Sequence, residues 1–183
     1  MASIQAFDNQ TQTYSHLCGG SIIEKNQVLT AAHCFHDYES SDLKVIFGSA
    51  DLSLSGSFRT EKKIAKIIIH SSYVNGISYH DVAIVVLESE LEYNDAINKI
   101  CMPEEATLDG SNLYDRAATL TGWGSTVAKG PASSVLRQAQ LTIFAQTLCN
   151  DTRVQTDENG NTESESSLVP NLFTSEVMCA GMY

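Results

Sequence analysis

Leu29-Thr30-Ala31-Ala32-His33-Cys34 sets an imidazole beside a cysteine, directly after small residues that permit close packing. A histidine titrates near neutrality, so one held in place can take a proton from a hydroxyl nucleophile and return it to a leaving group within one cycle. Three further stretches must agree with it: Cys18-Gly19-Gly20-Ser21 upstream, Asp81-Val82-Ala83-Ile84 downstream and Thr121-Gly122-Trp123-Gly124 further on. Asp81 stands at the mouth of an apolar run, Val82 to Leu87. A carboxylate is costly to bury there unless something hydrogen-bonds to it, and an imidazole N–H is the natural donor. Read alone, Asp81 is an ordinary strand-start aspartate capping a turn.

Working outward, the chain carries no long helical period. Ser3 to Ala6 and Ser21 to Thr30 read as extended, with Gly19-Gly20 allowing close backbone approach between neighbouring strands. Lys44 to Phe47, Ile64 to Ile69 and Val82 to Leu87 follow as short β-favouring runs separated by polar or glycine-bearing turns. A second set comprises Ala118 to Trp123, Ala139 to Phe144 with alternating Ala139, Leu141 and Ile143, and Glu176 to Ala180. This rhythm predicts an all-β sandwich or barrel, with Glu88 to Asp115 as a crossing segment. The 183 residues suffice for one domain, or for one and a half of two small subdomains.

The net charge of −11 argues against a nucleic-acid binder, which needs a basic face to displace counterions, and against an anionic membrane surface. The longest apolar run falls far short of the ~20 residues that span a bilayer. Met1-Ala2-Ser3-Ile4-Gln5 lacks the basic start and apolar core of an export signal and reads instead as an inner strand cut from a longer precursor. Five cysteines without a CxxC pair read as disulfide partners. A zinc site from Cys18, His33, Cys34 and His36 fits poorly, because ligands adjacent at 33 and 34 suit a tetrahedron badly. His16, His36, His70 and His80 read as surface or core-satisfied side chains.

In this order, the four stretches resemble the chymotrypsin/trypsin-type serine endopeptidase family, over essentially the whole chain. The resemblance implies two perpendicular antiparallel β-barrels with the active site in the cleft between them. On that reading the first barrel (1–100) is nearly complete. A crossing segment (101–116) leads to a truncated second barrel (117–183) that contains a long acidic loop (150–170), with Trp123 packed at its base. The resemblance implies His33 as general base and Asp81 as its orienter. It also implies disulfides Cys18–Cys34 and Cys149–Cys179, with Cys101 left over and, in relatives carrying a cysteine there, often tied to a propeptide or light chain.

The last residues, Met178 to Tyr183, resemble the segment that shortly precedes Gly-Asp-Ser-Gly-Gly in the family, and no such nucleophile stretch occurs here. The expected function is therefore serine-type peptide-bond hydrolysis by the full-length protein, with this chain an inactive fragment. The rival expectation is a non-catalytic protease homologue that binds or regulates partners. Expected partners are polypeptide substrates, protein protease inhibitors and the segment tied through Cys101; the expected location is secreted and extracellular. Asn9-Gln10-Thr11 and Asn150-Asp151-Thr152 fit the glycosylation triplet weakly. No cofactor and no metal are expected. Many relatives hold calcium in a first-barrel loop, but Ser49 and Arg59 stand where acidic ligands belong.

Overall fold

Strand after strand, alternating apolar side chains meet in one interior. The computed structural model describes residues 1–76, 79–103, 113–145, 155–156, 162–163 and 178–181. Six strands close a barrel: β1 (Ala2–Asp8), β2 (Thr13–Glu24), β3 (Gln27–Thr30), β4 (Leu43–Phe47), β5 (Thr60–Ile69) and β6 (Ala83–Leu87), in the order β1-β2-β3-β6-β5-β4. β4 returns to β1 with Ile4 opposite Val45. Ile4, Val28, Val45, Phe47 and Val85 are fully enclosed in the interior. The predicted run Ser21 to Thr30 is two strands with a turn at Lys25-Asn26, and β2 begins earlier, at Thr13. Two short 3-10 turns, Ala32–Phe35 and Ser40–Asp42, accompany the barrel strands. Among the described residues no helix is long and apolar enough to cross a membrane.

Two glycines are required by what surrounds them. A Cβ on Gly20 would lie 2.5 Å from Val28 Cγ1 and 3.1 Å from the Leu29 carbonyl, so β2 can approach β3 only without a side chain there. Gly19 has ordinary room, so the close approach expected of the pair rests on Gly20 alone. Gly48 combines φ +66° with a Cβ position 2.2 Å from the Phe58 carbonyl.

β5 changes face part-way along. Its register against β6 shifts between Ile64 and Lys66, so Ala65 is extra. Side chains alternate with a period of two, and one inserted residue exchanges inside for outside. Ile64 is buried before the bulge; after it Lys66 is turned out and Ile67 packs against the core.

The chain divides into two compact units, Met1–Met102 with Thr121–Gln138, and Pro103–Leu120 with Ala139–Tyr183. Segment 121–138, expected with the second barrel, therefore belongs with the first. Backbone pairing explains the change: the Leu136 N–H donates to the Ala50 carbonyl at 2.7 Å and the Leu52 N–H to Ser134 at 2.9 Å. Trp123 follows this segment. It is 2% exposed, its Nε1–H donates to the Ala50 carbonyl at 3.3 Å, and its ring lies 5.5 Å from that of His16.

Outside the barrel, β7 (Ala117–Gly122), β8 (Arg137–Phe144), β9 (Gln155–Thr156), β10 (Thr162–Glu163) and β11 (Cys179–Gly181) complete the described strands. β8 is the centre of a three-stranded antiparallel sheet flanked by β7 and β11, while β9 pairs with β10. Apart from that hairpin, the predicted loop 150–170 lies outside the described residues, as do residues 176–177 of the stretch expected as a strand from Glu176 to Ala180; its last two residues enter β11.

Candidate active site

The barrel's own pairing brings His33 and Asp81 together across 48 positions of sequence. β3 and β6 are antiparallel neighbours with Thr30 opposite Ala83. The residues leaving β3 therefore emerge beside those entering β6. The first 3-10 turn starts immediately after β3, with Ala31 as its N-cap offering no side-chain bond. Its free N–H groups need an acceptor, and Asp81 supplies one: Oδ1 accepts the His33 backbone N–H at 2.8 Å, and the Ala32 N–H also donates to this carboxylate. Oδ2 meets His33 Nδ1 at 2.7 Å. The two roles foreseen for this aspartate, turn cap and imidazole partner, are thus carried by its two oxygens at once.

The tautomer follows from donor counting. An ionised carboxylate only accepts, so the proton in the contact sits on Nδ1 and the Nε2 lone pair is left for other work. Nε2 lies 3.8 Å from Cys34 Sγ, a disulfide sulfur with no proton to give. The His33 side chain is 60% exposed, and that of Asp81 26%. Burial by itself would raise the Asp81 carboxyl, but the hydrogen bonds from the His33 ring and backbone, the charge of His33 and the Ala32 N–H together hold it below its ordinary value.

Neighbours that sequence reasoning missed support Asp81. The Val82 N–H donates to the His80 carbonyl at 2.8 Å, a three-residue turn centred on Asp81. The His70 N–H donates to the Val82 carbonyl at 3.1 Å, closing the neck of the loop beyond β5. The His70 and His80 rings stack with centroids 4.8 Å apart and planes 10° from parallel. His80 adopts φ +55°, a left-handed conformation that few residues other than glycine take. Loss of solvent and the negative charge of Asp81 raise the Tyr73 hydroxyl. The signal was present in the spacing of His70 and His80 either side of one loop, but nothing in the sequence closes that loop.

Other foreseen residues fall as follows. Cys18 and Cys34 are disulfide-bonded, which removes both thiolates from the imagined zinc set; the clustering of Cys18, His33 and Cys34 is the disulfide and its neighbour. Cys179 is disulfide-bonded, while Cys149 and Asn150 lie outside the described residues. Cys101 is free and exposed. Asn9 is exposed in the turn between β1 and β2. His16 is satisfied inside the fold: its Nδ1 lies 2.8 Å from the hydroxyl of fully buried Ser3, and burial lowers its pKa.

The loop from Gly48 to Arg59 does not fit a hard cation. Arg59 Nη1 donates to the Leu52 carbonyl at 3.3 Å, Ser49 donates to the Asp51 carbonyl at 2.7 Å, and Asp51 Oδ1 accepts from both Ser53 N and Oγ. A guanidinium thus stands where an anionic oxygen would be needed.

A closed six-stranded barrel that brings an imidazole and a carboxylate together from the ends of paired strands defines the class of protein: a β-barrel domain carrying a hydrogen-bonded His–Asp pair. Residues 1–183 match the family described as Trypsin, and the chain belongs to the trypsin family. Over 138 residues, 73% of the chain and 43% of the relative, it is 36% identical to clotting factor G beta subunit of Tachypleus tridentatus. It is 35% identical to venom serine protease Bi-VSP of Bombus ignitus over 73% of the chain and 37% of that protein. It is 30% identical to transmembrane protease serine 11G of Mus musculus over 76% of the chain and 32% of that protein. The matched region is thus less than half the length of each of these relatives.

Proposed function

We propose that the whole protein is a serine endopeptidase that cleaves peptide bonds through an acyl-enzyme, with His33 as base and then acid and Asp81 as its orienter. The observation that carries this reading is the pair of hydrogen bonds that His33 donates to Asp81, 2.7 Å from the ring and 2.8 Å from the backbone. A nucleophilic hydroxyl gives its proton to Nε2 as its oxygen bonds to the carbonyl carbon. The carbon–nitrogen bond then breaks, and the departing amine takes that proton. Water repeats the sequence on the ester and releases the acid. Asp81 keeps Nδ1 protonated throughout and stabilises the imidazolium.

Residues 1–183 contain no Gly-Asp-Ser-Gly-Gly; on this reading the rest of the protein supplies the nucleophile, and this polypeptide alone is expected to be inactive. They form part of a peptidase domain, comprising the first barrel and a portion of the second. Secretion agrees with the disulfide chemistry. The exposed Cys101 thiol is free to join an upstream propeptide or light chain, and peptide-like inhibitors would share the substrate's route.

The test is to express the longer gene product, activate it and react it with a fluorophosphonate probe. Labelling that disappears in His33→Ala is expected. An intact, folded protein that takes no label makes it a binding homologue instead. Gels with and without reductant report separately on Cys101: loss of a light chain on reduction is expected, and identical migration removes that partner.

A further inference from the structure

His70 directly follows β5 and His80 directly precedes Asp81. Their rings, 4.8 Å apart and 10° from parallel, lie within the range of aromatic pairs that attract. Three hydrogen bonds fix the His70 side of this contact. Its N–H donates to the Val82 carbonyl at 3.1 Å, its carbonyl accepts the Tyr73 N–H at 3.0 Å, and its Nδ1 accepts the Ser72 N–H at 3.2 Å. The last of these sets the plane of the ring, because an accepting nitrogen must aim its lone pair at the donor. The His70 side chain is itself exposed, so core packing does not account for its placement.

The His80 side is held against its backbone preference. At φ +55° the residue sits in the left-handed region, where a Cβ crowds the following carbonyl. That carbonyl accepts the Val82 N–H at 2.8 Å, with Asp81 between them. Leaving the left-handed region reorients the His80 carbonyl relative to its ring. The ring cannot then stay on His70 while the carbonyl stays on Val82, so the stack favours the strained backbone specifically. Asp81, enclosed by that turn, receives bonds from the His33 ring, the His33 N–H and the Ala32 N–H, and only one direction of its carboxylate meets all three.

We propose that His70 and His80 are positioning residues for the candidate pair: the His70 ring holds His80 in its left-handed conformation, and that backbone aims the Asp81 carboxylate at His33. Both act through Asp81. The role deepens the peptidase reading and rests on it.

The test uses the longer, activated protein with two readouts, steady-state kinetics and the low-field His33 Nδ1–H proton resonance. His70→Ala should lower kcat about fivefold, the size of one aromatic contact, with KM unchanged. The resonance should shift upfield and broaden. His70→Phe, which keeps a flat ring over His80, should restore both. The sharpest variant is His80→Gly, since glycine takes a positive φ without strain. In that background His70→Ala should change kcat by less than about twofold, because no side chain then needs holding. A cooperative Trp123 fluorescence melt checks the fold of each variant, and His70→Gln removes the ring a second way if the alanine variant does not fold. Three results overturn the proposal: kcat and resonance unchanged in His70→Ala, an equal loss in the His80→Gly background, or a rise in KM at constant kcat, which would make the loop a wall for substrate instead. The resonance is read whether or not the protein takes the fluorophosphonate label, so this inference and the proposed function fail separately.

Discussion

The first unit and the three-stranded sheet of β7, β8 and β11 are made of similar β-forming residues, yet among the described residues only the first encloses an interior. In the barrel Ile4, Val28, Val45, Phe47 and Val85 have no exposure. In the second unit Leu120 is 60% exposed and Met178 59%, with Ile143 and Cys179 its buried residues among those described. Closure makes the difference, since a sheet wrapped on itself covers its inner face with its own side chains, whereas three strands leave one face to be covered by something else. The candidate pair resides wholly in the closed unit, where strand pairing places it without help from the open sheet.

The sharpest way to break this comparison is at the pair itself. In the longer, activated protein, Asp81→Asn should lower kcat by about 10⁴-fold, a magnitude taken over from the family's own archetype because the wrong tautomer is then held. Single-turnover acylation measures it, and a loss under about tenfold would mean that the pair does not work as described. The pH dependence has a definite sign. The Asp81 carboxyl is held below its ordinary value in the fold, so its contribution to stability is complete above the ordinary carboxylate range and lost as pH falls through the depressed value. The His33 Nδ1–H proton resonance should persist down to the same region.

Next in size come the interiors. Phe47→Ala should destabilise the barrel by about 3–5 kcal/mol, whereas Leu120→Ala on the open sheet should stay within about 0.5 kcal/mol. Denaturant unfolding followed by Trp123 fluorescence reads the first change. Equal effects would erase the distinction between the regions.

Removing the Cys18–Cys34 disulfide by paired serines should cost about 3 kcal/mol, given a sequence separation of 16. That bond fixes the turn beside His33, so its thermal midpoint and the His33 resonance should move together. Smaller still, Gly20→Ala should cost about 1–3 kcal/mol by overpacking, because its Cβ would meet Val28 at 2.5 Å. Gly19→Ala, with ordinary room, should be nearly silent by the same melt.

Several of these features are legible in the amino-acid sequence. The β-rich pattern, the barrel strands near Lys44, Ile64 and Val82, and the prominence of His33 and Asp81 all follow from local composition and spacing. The full extent of β2 and the bulge at Ala65 do not, because a register shift leaves no mark in residue types when Ala65-Lys66-Ile67 is as good a strand on either face. Trp123 is expected with the second barrel and packs in the first unit. The reason lies in the backbone bonds that Ala50 and Leu52 make to the remote residues Leu136 and Ser134.

The amino-acid order alone determined which groups could do chemistry: a titratable ring beside a cysteine, and a carboxylate ahead of an apolar strand. Tertiary structure decided that one carboxylate oxygen caps the turn while the other holds the ring, that Gly20 rather than Gly19 carries the close approach, and that β5 changes face at Ala65. Residue identity sets what an atom can donate or accept, but distance and direction between remote segments arise only when strands pair and a barrel closes.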